Sequence, residues 1–158
     1  HLKLYNRSWI IHTRTAERPP ARFPAKGSVY ASMICDGCFI EEGATVESSV
    51  LSPGVIVRSG AVVRESIVLT DAEIRPGAVV ERSVLDKQAR VEEHARVGWG
   101  VTDQNIRIAL VGKNSVVPSG YVIEPEAEIG TDVIQSDYPD STIRAGQVIQ
   151  TKRQPNEI

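Results

Sequence analysis

The sequence is poor in aromatic residues, which make up 5% of its 158 residues, and its formal net charge is only −2. Nucleic-acid-binding domains usually carry a basic patch interleaved with aromatic side chains, and the sequence shows no such stripe. No apolar run approaches the roughly 18 residues that a membrane-spanning helix needs. The composition therefore predicts neither a nucleic-acid partner nor a membrane partner.

Residues that bind metals or act as nucleophiles are also few. Cys35 and Cys38 form one CxxC pair, whereas a structural zinc site needs four ligands. We interpret Cys38 as a core residue, because free cysteines are commonly buried. The three histidines, His1, His12 and His94, are accompanied by no glycine-rich phosphate loop and by no Ser/His/Asp triad. We therefore predict no catalytic residue and no metal site in this chain.

The sequence does contain a 17-residue repeat, which runs from Ile40 to Val97. The copies IEEGATVESSVLSPGVI, VRSGAVVRESIVLTDAE and IRPGAVVERSVLDKQAR follow one another without a gap, and VEEHARV opens a fourth. Aligned columns hold one type of residue each: Ile40, Val57, Ile74 and Val91; Ala44, Ala61, Ala78 and Ala95; Val46, Val63, Val80 and Val97; Ser49, Ser66 and Ser83. Self-similarity at a fixed period indicates a solenoid.

Each copy divides into two hexads and a pentad, a spacing of apolar residues that no face of a helix supplies. Valine and isoleucine dominate, and both favour strands. We therefore predict an all-β parallel β-helix with three short strands per coil and coils about 4.8 Å apart. About six coils would lie between Phe23 and Ile134, with Glu42, Arg58 and Arg75 pointing outward.

We predict three parts in the chain. Residues 1–22 form a linker or entry segment, residues 23–134 form the β-helix with a loop at 98–110, and residues 135–158 form a cap and tail. In the tail, Ile143, Val148 and Ile149 would lay one more strand across the last coil. The chain opens at His1 without an initiator Met and shows no signal peptide, so we expect a piece of a longer, cytoplasmic protein.

The hexads resemble those of hexapeptide-repeat proteins, which form left-handed parallel β-helices, and we take the hand of the helix from that resemblance. More specifically, the chain is similar over nearly its whole length to the C-terminal domain of glucose-1-phosphate adenylyltransferases. The similarity lies in LYNRSWIIHT followed by Pro19–Phe23 at the entry, in the coils of Ser32–Val57, and in the later segments Ser83–Val91 and Leu110–Gly120.

The resemblance implies a separate catalytic domain that uses ATP with Mg²⁺ and glucose 1-phosphate to make ADP-glucose and pyrophosphate for glycogen synthesis. It implies that this β-helix needs no cofactor, catalyses nothing alone, and serves assembly of a homo-oligomer and allosteric control. Two lysines that contact phosphorylated metabolites in the family fall on Lys87 and Lys113. Arg90 and Arg107 are candidates to add a guanidinium fork. A short coil between the lysines would place their corners roughly 10 Å apart.

Two other functions stay open. Hexapeptide-repeat acyltransferases use one histidine as a general base, and His94 is the candidate in this sequence. His94 also fits a structural role, since it stands in a column that otherwise holds glycine. The second alternative is a purely structural β-helix scaffold without ligand.

Overall fold

The structure, a computed structural model, describes residues 17–24, 28–100 and 107–154. Predictions for residues 1–16, for residues 101–106 of the loop and for the last four residues lie outside the described residues. The described chain forms nineteen short strands, β1 to β19, and one 3-10 helix, Gln135–Asp137. No helix in these ranges is long and apolar enough to cross a membrane.

The strands form three parallel sheets, and each sheet is one face of a prism. Face A consists of β3 (Phe39–Ile40), β6 (Ile56–Val57), β9 (Glu73–Ile74), β12 (Arg90–Val91) and β15 (Val116–Val117). Face B consists of β1 (Ser28–Tyr30), β4 (Thr45–Glu47), β7 (Val62–Arg64), β10 (Val79–Glu81), β13 (Arg96–Val97), β16 (Val122–Ile123) and β18 (Thr142–Ile143). Face C consists of β2 (Met33–Ile34), β5 (Val50–Leu51), β8 (Ile67–Val68), β11 (Ser83–Leu85), β14 (Ala109–Val111), β17 (Glu128–Ile129) and β19 (Val148–Ile149).

The chain visits the faces in the order A, B, C, and we call the corners between them edge AB, edge BC and edge CA. Strands that pair are one coil apart in sequence: Ile74 pairs with Val91, 17 residues on. Val91 pairs with Val117, 26 residues on, so the loop on edge BC adds nine residues without adding a coil. After the loop, Val111 pairs with Ile129, 18 residues on. The predicted all-β parallel β-helix is therefore confirmed.

The core is built from the repeat columns identified in the sequence. The aliphatic and alanine columns are 1% exposed or less, from Ile40 through Val97. Cys38, also 1% exposed, continues the inward column of Val55, Ala72 and Ala89. Glu42 is exposed and Arg58 and Arg75 are partly exposed, as predicted for outward positions. Alanine suits the corners because it has almost no side chain to fit where two faces converge.

The stack continues past both ends of the predicted solenoid. On the C-terminal side, β18 pairs with β16 and β19 pairs with β17, which gives about seven turns rather than six. The 3-10 helix lies between β17 and β18, where a strand of face A would otherwise stand. On the N-terminal side, Arg22 forms a parallel bridge with Phe39.

Tight corners require residues with positive φ, and glycine fills many of them. Gly43, Gly60 and Gly77 occupy one column of edge AB with φ between 68° and 79°. This confirms the predicted role of the glycine column, because glycine adopts these angles without steric cost. His94 continues the column with φ 58°.

Candidate anion-binding edge

Lys87 and Lys113 occupy the same position of edge CA in two successive coils. The N–H of Asn114 donates to the carbonyl oxygen of Lys87 at 3.0 Å, and the N–H of Asp132 donates to that of Lys113 at 2.8 Å. The two lysine backbones are thus one coil apart, about 4.8 Å, rather than roughly 10 Å. The reason is that the loop at edge BC lengthens one coil and does not insert another.

The corner geometry directs both lysines away from the core. Each precedes a residue in the left-handed region, Gln88 at φ 61° and Asn114 at φ 58°, and both side chains are exposed. Within the described ranges, neither ammonium group has an ion-pair partner. The carboxylate of Asp86 is occupied nearby, because its Oδ1 accepts the backbone N–H of Lys87 at 2.7 Å.

Arg90 lies on face A, two residues past the corner, and shares carboxylates with a surface network. Its guanidinium stands 4.0 Å from an oxygen of Glu73 and 3.8 Å from one of Glu92. The same network joins Arg58 to Glu41 at 2.8 Å and to Glu73 at 2.7 Å. The hydrogen bond from Arg58 lowers the pKa of Glu41. Arg90 is therefore near the lysines but already faces two negative charges.

Arg107 lies on a different edge from the lysines. It precedes β14 on edge BC, and its Nη1 is 3.1 Å from an Oε2 of Glu126. The structure thus brings together two of the four predicted residues, Lys87 and Lys113, and leaves Arg90 on the adjoining face and Arg107 on another edge.

Edge CA carries further polar groups that sequence reasoning missed. Asn114 donates its amide to Oδ1 of Asp132 at 2.9 Å, and Arg153 donates to the carbonyl oxygen of Asp132. Nearer the N-terminus, Arg18 binds both oxygens of Asp71, at 2.6 and 2.9 Å. Asp71, Asn114 and Asp132 share one left-handed column, which the coil register reveals and the hexad pattern alone does not.

His94 is exposed and packs over a glycine of the preceding coil. A Cβ placed on Gly77 would lie 2.6 Å from Nδ1 of His94, so the imidazole fills the space above that glycine. Among the described residues, no side chain orients the imidazole by a hydrogen bond, as a general base would require. The geometry gives His94 a corner role.

The two cysteines differ in environment. Cys38 donates from Sγ to the carbonyl oxygen of Ser52 at 3.2 Å, and burial raises the pKa of its thiol. Cys35 is exposed, and both thiols are free. Within the part of the chain that the structure describes, no group of three or more His, Cys, Asp or Glu residues could hold a metal ion.

Comparison with known sequences places this architecture in a family. The sequence model described as GlmU-like, C-terminal hexapeptide, matches residues 19–117, which is more than half of the chain. The chain belongs to this hexapeptide family. A glucose-1-phosphate adenylyltransferase from Thermomicrobium roseum is 45% identical to it over 157 residues, which cover 94% of this chain and 36% of that protein.

A second relative of this hexapeptide-family chain, a glucose-1-phosphate adenylyltransferase from Corynebacterium aurimucosum, is 44% identical over 46 residues, which cover 28% of this chain and 11% of that protein. The chain therefore spans about a third of the length of the first curated relative and less of the second. Among solved structures, the acetyltransferase domain of PglB from Neisseria gonorrhoeae matches with 21% identity, a TM-score of 0.31, and coverage of 79% of this chain and 54% of that one. A likeness this weak carries no argument.

Proposed function

We propose that this chain is the C-terminal assembly and regulatory region of a glucose-1-phosphate adenylyltransferase. The observation that carries the proposal is 45% identity along 94% of the chain to a protein of that name, of which the chain spans only 36%. Catalysis, with ATP, Mg²⁺ and glucose 1-phosphate, would then belong to an upstream domain, in a cytoplasmic homo-oligomer that supplies ADP-glucose for glycogen. This region alone should synthesise no ADP-glucose.

We further propose that Lys87 and Lys113 bind a phosphorylated metabolite. Elsewhere on the surface, opposite charges stack across coils: Arg64 stands 3.4 Å from Glu47 on one side and 2.9 Å from Glu81 on the other. The lysine pair breaks this rule, since two like charges occupy adjacent rungs. Like charges directly opposite each other in a sheet are destabilising, so an anion between them would relieve repulsion and gain charge-assisted hydrogen bonds.

The test is to replace each lysine by glutamate in the full-length enzyme and to titrate ADP-glucose synthesis with phosphorylated sugars and inorganic phosphate. Hydrogen bonds to charged groups contribute about 1.5–3 kcal/mol, so each change should weaken the apparent effector affinity about ten-fold or more. Activity without effector should stay unchanged. Arg144→Glu is the matched control, because Arg144 is an exposed cation on edge BC. Normal effector responses in both folded lysine variants would contradict the proposed site.

A further inference from the structure

Face C presents apolar side chains to solvent where the other faces present charges. In five successive coils its outward residue is aliphatic, and the register places each directly opposite the next. We call this set the aliphatic ladder: Met33, Val50, Ile67, Val84 and Leu110. Three members are strongly exposed, Met33 at 36%, Ile67 at 45% and Leu110 at 42%. Exposed apolar surface of this continuity usually marks a contact site.

Two open grooves flank the ladder at Val84. One, of about 400 Å³, lies toward edge BC, and Ile108, itself 47% exposed, closes its far side. The other, of about 360 Å³, lies toward edge CA beside Leu110 and Glu128. The ladder is thus a ridge with room on both sides for the side chains of an extended segment.

The dimensions of the ladder argue against a second copy of the chain as its occupant. Four coil steps of about 4.8 Å and strands of two or three residues at about 3.3 Å give roughly 19 by 10 Å. That surface is about 200 Å², whereas a stable protein interface buries about 800 Å² on each partner. A single extended segment of about ten residues matches the surface better.

The chain enters the described region beside this face. The N–H of Gly37 donates to the carbonyl oxygen of Pro19 at 2.7 Å, the same bond that Gly54 makes to Asp36 one coil later. Because residues 19–22 therefore stack one 17-residue step before the next coil, the same step aligns Glu17 with Ile34 of β2. β2 is the terminal strand of face C, and it begins at Met33, the first member of the ladder.

The sequence just upstream of this entry point is complementary to face C. Residues 2–11 read LKLYNRSWII, which includes six large apolar residues. Residues 1–16 contain Lys3, Arg7 and Arg14 and no acidic residue. The grooves are bordered by the carboxylates of Glu65, Asp86 and Glu128 against one cation, Arg82. Ten extended residues reach about 33 Å, more than the length of the ladder.

We propose that residues 2–11 dock along face C and cover the aliphatic ladder, with Trp9 among its side chains. This contact would couple the β-helix to whatever precedes it in the chain, and it does not depend on which metabolite, if any, binds edge CA.

The two tryptophans of the chain permit a direct test. In a Trp99→Phe background of the 158-residue chain, Trp9 is the single tryptophan, and its emission maximum and quenching by acrylamide report its burial. We expect blue-shifted emission and weak quenching. Ile67→Arg or Val84→Arg should shift both values toward those of the urea-unfolded chain. Val79→Arg, an outward position of face B, is the matched control and should change neither.

Circular dichroism must show that the variants keep their β structure. Solvent-exposed emission from Trp9 before any change in face C would overturn the proposal. So would a blue-shifted Trp9 that ignores both arginine substitutions. Analytical ultracentrifugation covers the rival occupant: if the face C substitutions convert a dimer into a monomer while Trp9 emission stays the same, a second copy covers the ladder and the proposal is wrong.

Discussion

At the scale of single residues, Asp137 shows how one buried carboxylate fastens the end of the solenoid. It is 3% exposed, and its two oxygens accept the backbone N–H groups of Ile134 at 2.9 Å and Lys152 at 3.0 Å. Burial opposes ionisation, yet these hydrogen bonds outweigh it, so the pKa of Asp137 lies below its ordinary value. The charged form thus ties the 3-10 helix to the C-terminal tail.

Asp137→Asn should lower the free energy of unfolding by about 1–3 kcal/mol at neutral pH, since an amide cannot accept both bonds in the same geometry. A carboxylate with a lowered folded-state pKa stabilises the protein above its unfolded pKa, near about 3.9. That stabilisation is lost as the pH falls through the lower folded-state value. The gap between wild type and variant in urea unfolding should therefore narrow below about pH 4.

The exposed Asp140, three residues on, supplies the control for this experiment. Asp140→Asn should leave the free energy of unfolding within about 0.5 kcal/mol of wild type, as surface substitutions usually do. A constant difference between Asp137→Asn and wild type from pH 3 to pH 7 would show that the charge of Asp137 has no part in stability.

At the scale of elements, a column of serines joins the coils at edge BC. Each hydroxyl donates to a carbonyl two residues earlier and accepts the N–H of the next serine, as Ser66 does from Ser83 at 3.1 Å. The same bond runs from Ser49 to Ser32 and from Ser66 to Ser49, each at 3.1 Å. The corner leaves these N–H groups without a strand partner, so the hydroxyls replace the missing ladder bonds.

Ser66→Ala should destabilise the protein by about 1–3 kcal/mol, because it leaves the buried N–H of Ser83 without an acceptor. Ser59→Ala is a matched control: Ser59 also donates to a backbone carbonyl of the previous coil, at 2.8 Å, but it is exposed and water can replace the bond. Urea unfolding of both variants tests this. Equal losses of stability would mean that the serine column contributes nothing beyond an exposed hydroxyl.

The repeat predicts the strands and their inward residues because every coil confirms the same columns, as with Val46, Val63 and Val80. Sequence reasoning weakens where the period changes. The 3-10 helix breaks the hexads before β18, so the sequence suggested one capping strand where two strands continue the sheets. The spacing of Lys87 and Lys113 was overestimated, because the sequence does not reveal that the loop belongs to the coil between them.

At the scale of the whole molecule, stability depends on an unbroken stack. Each coil of a solenoid contacts only its neighbours, so the total is a sum of coils and of the interfaces between them. The outer surface adds alternating charges across coils, such as Arg58 with Glu41 and Glu73. Exposed pairs of this kind contribute only about 0–1 kcal/mol each. The dry interior therefore carries most of the stability.

A charge in that interior tests the arrangement directly. Val63 in β7 is 0% exposed, and an aspartate there would be an unpaired charge among aliphatic side chains. Val63→Asp should cost more than about 4 kcal/mol, a large share of the roughly 5–15 kcal/mol that stabilises a typical domain. Val62→Asp changes the preceding residue of the same strand, whose side chain points outward, and should cost far less. Thermal unfolding followed by circular dichroism compares the two variants, and similar melting temperatures would show that Val63 does not face a dry core.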